Sequence, residues 1–98
     1  MPTIYEYLGI TILLRTNDHA PIHVHAIHGN TEVKIFLYEK NGVIQTIRYE
    51  TVHGKFSPTK MNDLKAFISK HKYILLYAYE QIKSGAKVKK ITITKRIK

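Results

Sequence analysis

The dipeptide Asn41-Gly42 constrains this chain more than any other feature. It stands between two stretches of alternating apolar and polar residues. Asn-Gly readily supplies the two positive-φ positions of a tight hairpin turn. Before it, Thr31–Tyr38 puts Val33, Ile35 and Leu37 on one face. After it, Val43–Thr51 is the partner strand. A period of two is the signature of a strand and not of a helix. An antiparallel sheet is therefore the frame into which the remaining segments must fit.

Upstream, Leu8–Leu14 carries Leu8, Ile10, Ile12 and Leu14 on one face and reads as a half-buried strand. Thr16–Pro21 reads as a turn, because Asn17 and Asp18 offer local side-chain bonds and Pro21 fixes its own φ. Ile22–Ala26 alternates strictly, with Ile22, Val24 and Ala26 on one face and His23 and His25 on the other. His28-Gly29-Asn30 reads as a hairpin turn.

Downstream the period changes. Ser57-Pro58 combines an N-cap residue with proline at the first helical position. Met61, Leu64, Ile68, His71, Leu75, Ala78 and Ile82 follow at three- and four-residue spacing. That is the apolar stripe of an amphipathic segment, either one helix or two with a break near Ser69-Lys70. Gly85 suits the residue after its end. Lys89–Ile97 alternates again, with Ile91, Ile93 and Ile97 on one face.

The fold class is therefore α+β, in a single domain of residues 1–98. Its expected architecture is an antiparallel four- to five-stranded meander over about 7–51. A C-terminal helical segment over about 58–84 covers one face, and a basic terminal strand follows over about 89–97.

Composition narrows the chemistry. The chain has no cysteine, which removes disulfides, thiolate nucleophiles and Cys-based zinc sites. No apolar run is long enough for a membrane-spanning helix. Met1–Glu6 lacks the basic and apolar regions of a signal peptide, so a cytoplasmic location is expected. Sixteen Lys and Arg stand against seven Asp and Glu, for a net charge of +9. This excess favours anionic partners, either nucleic acid or an acidic protein, although lysines also serve simply to keep a small protein in solution. The charge gathers near the end, where Lys83, Lys87, Lys89, Lys90, Lys95, Arg96 and Lys98 occur without an acid among them. Lys87, Lys89, Lys90, Lys95 and Arg96 are the candidate contacts to nucleic acid or another anion. The alternating strand that holds them could instead offer an edge to a partner protein.

Asp18–His28 holds four of the six histidines. His23 and His25 project from one face of a strand, a spacing that suits two imidazoles on one divalent transition metal such as zinc, iron or nickel. His19 could curl back as a third ligand, and Asp18 could ligate the metal or fix an imidazole tautomer. The same pair suits acid–base chemistry, since imidazole titrates near neutral pH. His23, His25 and His19 are then the candidate catalytic residues, with lysines to stabilise charge in RNA cleavage. A third account leaves the histidines structural, solvated or bonded to backbone carbonyls. His71 lies in the apolar stripe of the helix and joins this cluster only if the helix packs on the His23/His25 face. Val52-His53-Gly54 makes His53 a loop histidine.

Met1-Pro2-Thr3-Ile4, Gly9-Ile10 and Asn17–Ala26 together resemble the bacterial domain of unknown function catalogued as 4160. Its members typically begin Met-Pro-Thr-Ile and carry an (Asp/Glu)-His-x-Pro-Pro-His-Phe-His-Ala segment. The resemblance covers about residues 1–85 and includes a histidine near mid-helix, where His71 stands. Ile22 replaces the second proline, Val24 replaces the phenylalanine, and the family's usual helix tryptophans are absent. The resemblance implies a setting rather than an activity. Members are often encoded beside domain of unknown function 2442, in pairs that look like toxin–antitoxin modules, and some are labelled transcriptional regulators. The expected function is a component of such a module that contacts nucleic acid or a small acidic partner protein. A small ribonuclease or metal-dependent hydrolase centred on His23 and His25 is the alternative, and a non-catalytic protein-binding module is another. An exposed antiparallel edge favours a homodimer.

Overall fold

The computed structural model of the protein describes residues 3–14, 22–85 and 91–93. Strands β1 (Thr3–Tyr7), β2 (Ile10–Leu14), β3 (His23–His28), β4 (Thr31–Lys40) and β5 (Val43–His53) precede a single helix, α1 (Pro58–Lys83), and a short strand, β6 (Ile91–Ile93). The sheet runs in the order β5-β4-β3-β2-β1-β6. Neighbours from β1 to β5 pair antiparallel, so the α+β meander is observed. β6 adds to it in parallel alongside β1.

Two turns account for the course of the chain. Asn41 and Gly42 both take positive φ, 54° and 83°, as the tight β4–β5 turn demands. Leu8 and Gly9 do the same at 50° and 83°. Leu8-Gly9 is therefore a hairpin turn and not the start of a strand. The expected single strand over Leu8–Leu14 divides there, and Thr3–Tyr7 forms an additional strand ahead of it. Lys60 holds this turn from the helix by donating its ammonium to the Leu8 carbonyl.

The helix runs unbroken from Pro58 to Lys83. Ser57 caps it, its hydroxyl accepting from the Lys60 N–H at 3.2 Å. Leu64, Phe67, Ile68 and Leu75 pack on Ile12, Leu14, Val24, Ala26, Val33, Ile35 and Leu37 of the sheet. Tyr5 and Tyr7 complete that layer, with ring centroids 5.1 and 5.2 Å from Phe67. No helix among the described residues is long and apolar enough to cross a membrane.

Candidate functional site

Register places the histidines. His28 pairs with Thr31 around Gly29-Asn30, so His25 stands opposite Lys34 and Ile27 opposite Glu32. β2 and β5 extend these rows to Leu13–His25–Lys34–Glu50 and to Thr11–Ile27–Glu32–His53. A third row joins His23, Phe36 and Arg48. All three rows lie on the face away from the helix.

His23 and His25 do share that face, as alternation requires, but they do not stand in solvent. His23 is 6% exposed and His25 is 0% exposed. Their face carries apolar residues of its own, and Leu13 and Phe36 are buried beside them. The two imidazoles meet edge to face with centroids 5.1 Å apart. Phe36 packs on His23 at 5.3 Å, and the Arg48 guanidinium lies 4.6 Å from the Phe36 ring centre. A cation over a ring face is attracted by the ring quadrupole, which holds Arg48 at the rim of the site.

Glu32 organises the other side. It is buried, and its Oε2 accepts a hydrogen bond from His25 Nδ1 at 2.8 Å. An ionised carboxylate only accepts, so this bond puts the ring proton on Nδ1 and fixes the tautomer. Its Oε1 lies 3.7 Å from Nε2 of His53, whose Nδ1 donates to the Asn30 carbonyl at 2.8 Å. The His53 side chain is 60% exposed. One carboxylate thus bridges a fully buried imidazole and a surface imidazole. It forms an ion pair with His53 whenever that outer ring is protonated.

Sequence reasoning missed Glu32 and His53. Glu32 had a usable signal. The two-residue turn at Gly29-Asn30 fixes the β3–β4 register, and that register sets an acid diagonally across from His25. His53 had none, because a bulge opposite Glu32 and Val33 decides where it points.

The other histidines lie apart from this pair. His28 ends β3 on the helix face, where its Nδ1 donates to the Gly9 carbonyl at 3.1 Å. His71 sits on the helix, with its ring 4.8 Å from Phe67 and 5.6 Å from Tyr5. The helix packs on the Val24/Ala26 face, so the sheet separates His71 from His23 and His25. Its buried Nδ1 has no hydrogen-bond partner among the described residues. Burial, and secondarily the charge of Lys70, hold its pKa below the ordinary imidazole value.

Asp18 and His19 lie outside the described residues, as do Lys87, Lys89, Lys90, Lys95 and Arg96. Among the described residues no three His, Asp or Glu side chains are arranged to hold a metal ion. Chemically, the described part of the site offers a carboxylate-oriented imidazole, a second imidazole in contact with it, and a guanidinium at the rim.

A family model, Domain of unknown function (DUF4160), matches residues 9–80. That span begins at Gly9 and takes in strands β2 to β5, both buried histidines and nearly all of the helix. No curated protein and no solved structure matches the chain.

Proposed function

The chain belongs to the family of domain of unknown function 4160, and from that premise we propose that it is the basic component of a toxin–antitoxin-like two-gene module and contacts single-stranded nucleic acid. One observation carries this reading. The outward face of the helix carries the exposed Lys70 and, three and seven residues further on, the exposed rings of Tyr73 and Tyr77, with the Lys72 ammonium 5.6 Å from the Tyr73 ring centre. Within Pro58–Lys83 five lysines stand against Asp63, which is buried, and Glu80. Lysines track phosphates, and exposed aromatic rings stack on bases of any sequence. The overall charge of +9 draws a polyanion to the same molecule. The lysines and arginine of the C-terminal stretch, Lys87, Lys89, Lys90, Lys95 and Arg96, extend the basic character of the chain.

Fluorescence anisotropy with a labelled single-stranded RNA tests the reading. Affinity should fall steeply with salt, with a log–log slope of about −0.7 for each phosphate neutralised. Tyr77→Ala should weaken binding by about 1–3 kcal/mol, the value of one stacked base. An affinity that stays flat in salt rejects nucleic acid. Capture of the chain by the acidic product of a neighbouring gene would then assign the surface to a protein.

The pair formed by Glu32 and His25 favours a second reading, RNA cleavage by acid–base chemistry at His23 and His25. His19 would assist on this account, or would complete a metal site with Asp18. RNA cleavage that survives His23→Ala combined with His25→Ala removes these residues from any mechanism. A cleavage activity insensitive to chelators removes the metal.

A further inference from the structure

The outer side of β5 ends the sheet, and no strand among the described residues pairs with it. β5 is eleven residues long, and much of it is exposed. A long open edge presents a row of unpaired N–H and C=O groups, which other chains can extend. Bulges interrupt its pairing with β4 near Gln45 and near Val52. Thr46–Thr51 between them is regular, with Thr46, Arg48 and Glu50 on the histidine face and Ile47, Tyr49 and Thr51 on the helix face.

We propose that β5 is a self-association edge, pairing antiparallel with β5 of a second copy about a two-fold axis through Tyr49. Charge selects both the occupant and the register. Residues directly opposite in an antiparallel pair share a face, so the axis must pass through a residue and not between two. An axis at Arg48 sets two guanidiniums against each other, and an axis at Glu50 sets two carboxylates against each other. Both are repulsive. An axis at Ile47 puts Arg48 against Thr46 and leaves Glu50 facing Ile44. An axis at Tyr49 puts Arg48 of each copy opposite Glu50 of the other, and Ile47 opposite Thr51. Arg48 and Glu50 already lie 3.5 Å apart within one chain, with side chains 54% and 49% exposed. In the pair they would form an alternating cluster of four charges. The joined sheet would carry both helices on one face and both histidine sites on the other. The inference is independent of nucleic-acid contact.

Sedimentation velocity on the full chain tests it, with a reciprocal charge swap. The unsubstituted protein should sediment as a dimer. Arg48→Glu and Glu50→Arg should each weaken dimerisation by about tenfold or more, because like charges then stand opposite at two places. The double variant Arg48→Glu/Glu50→Arg should restore the dimer. Far-UV circular dichroism confirms that each variant is folded. Tyr49→Cys supplies an independent readout, since the axis residue meets its own copy and the chain has no other cysteine. It should oxidise to a covalent dimer much faster than Arg48→Cys. A monomeric unsubstituted protein overturns the proposal. So does a dimer indifferent to both single swaps, a folded double variant that stays monomeric, or equal crosslinking at positions 48 and 49.

Discussion

Burying a carboxylate is costly unless it is hydrogen-bonded, and Glu32 Oε2 accepts from His25 Nδ1. Removing it should therefore be felt in the fold as well as in any chemistry. Glu32→Ala leaves His25 Nδ1 without its acceptor and should cost about 1.5–3 kcal/mol, read from the midpoint of urea unfolding. His71 makes a different prediction. Its folded pKa lies below the ordinary value, through burial first and the Lys70 charge second. The unfolded chain thus binds this proton more readily, and stability falls as pH drops through the ordinary imidazole pKa, about 6.5, toward the lower folded value. His71→Leu should flatten that acid-side fall in melting temperature, and a curve parallel to the unsubstituted protein's would rule His71 out as its cause. The shared face of His23 and His25 was legible in the sequence because alternation requires it. Their burial was not, since alternation says which way a side chain points but not what stands beside it. Leu13 and Phe36 belong to that face and are read as buried only once three strands are in register.

The elements separate by how local their signals are. The β4–β5 hairpin and the start of the helix were legible because Asn41-Gly42 and Ser57-Pro58 carry their own geometry. The N-terminal hairpin was hidden, because leucine seldom takes positive φ and Leu8 continues the apolar pattern of Ile10 and Ile12. The link between β5 and the helix depends on one small residue. Gly54 has φ of 70°, and a Cβ there would stand 2.5 Å from Thr31 Cγ2 and 3.1 Å from the Asn30 carbonyl oxygen. Gly54→Ala meets both a steric and a conformational penalty and should destabilise the fold by about 1–3 kcal/mol. Gly42→Ala shares the positive φ but has nothing within 4 Å of its Cβ, so it should cost less. Thermal unfolding of the two variants side by side checks the order.

For the molecule as a whole, a charge of +9 gives salt two opposite effects. It weakens capture of a polyanion, and it also relieves self-repulsion in the compact state. From about 0.01 to about 0.1 M salt the screening length shrinks from about 30 to about 10 Å, within the span of this molecule. The melting temperature should rise over that range, by about 4–8 °C for each kcal/mol of repulsion removed. A melting temperature that fell instead would mean that attractive pairs outweigh the net charge. The sheet order also sets how the chain can assemble. β2 to β5 pair with near neighbours in sequence, but β1 meets β6 only by bringing Tyr5 and Ile91 together across almost the entire chain. Closing so long a loop is slow, and three paired residues repay little of its entropy. The meander and helix can therefore form while the last strand is still searching, and that strand is also the first to peel away. Folding ends at the seam where β1 and β6 lie side by side.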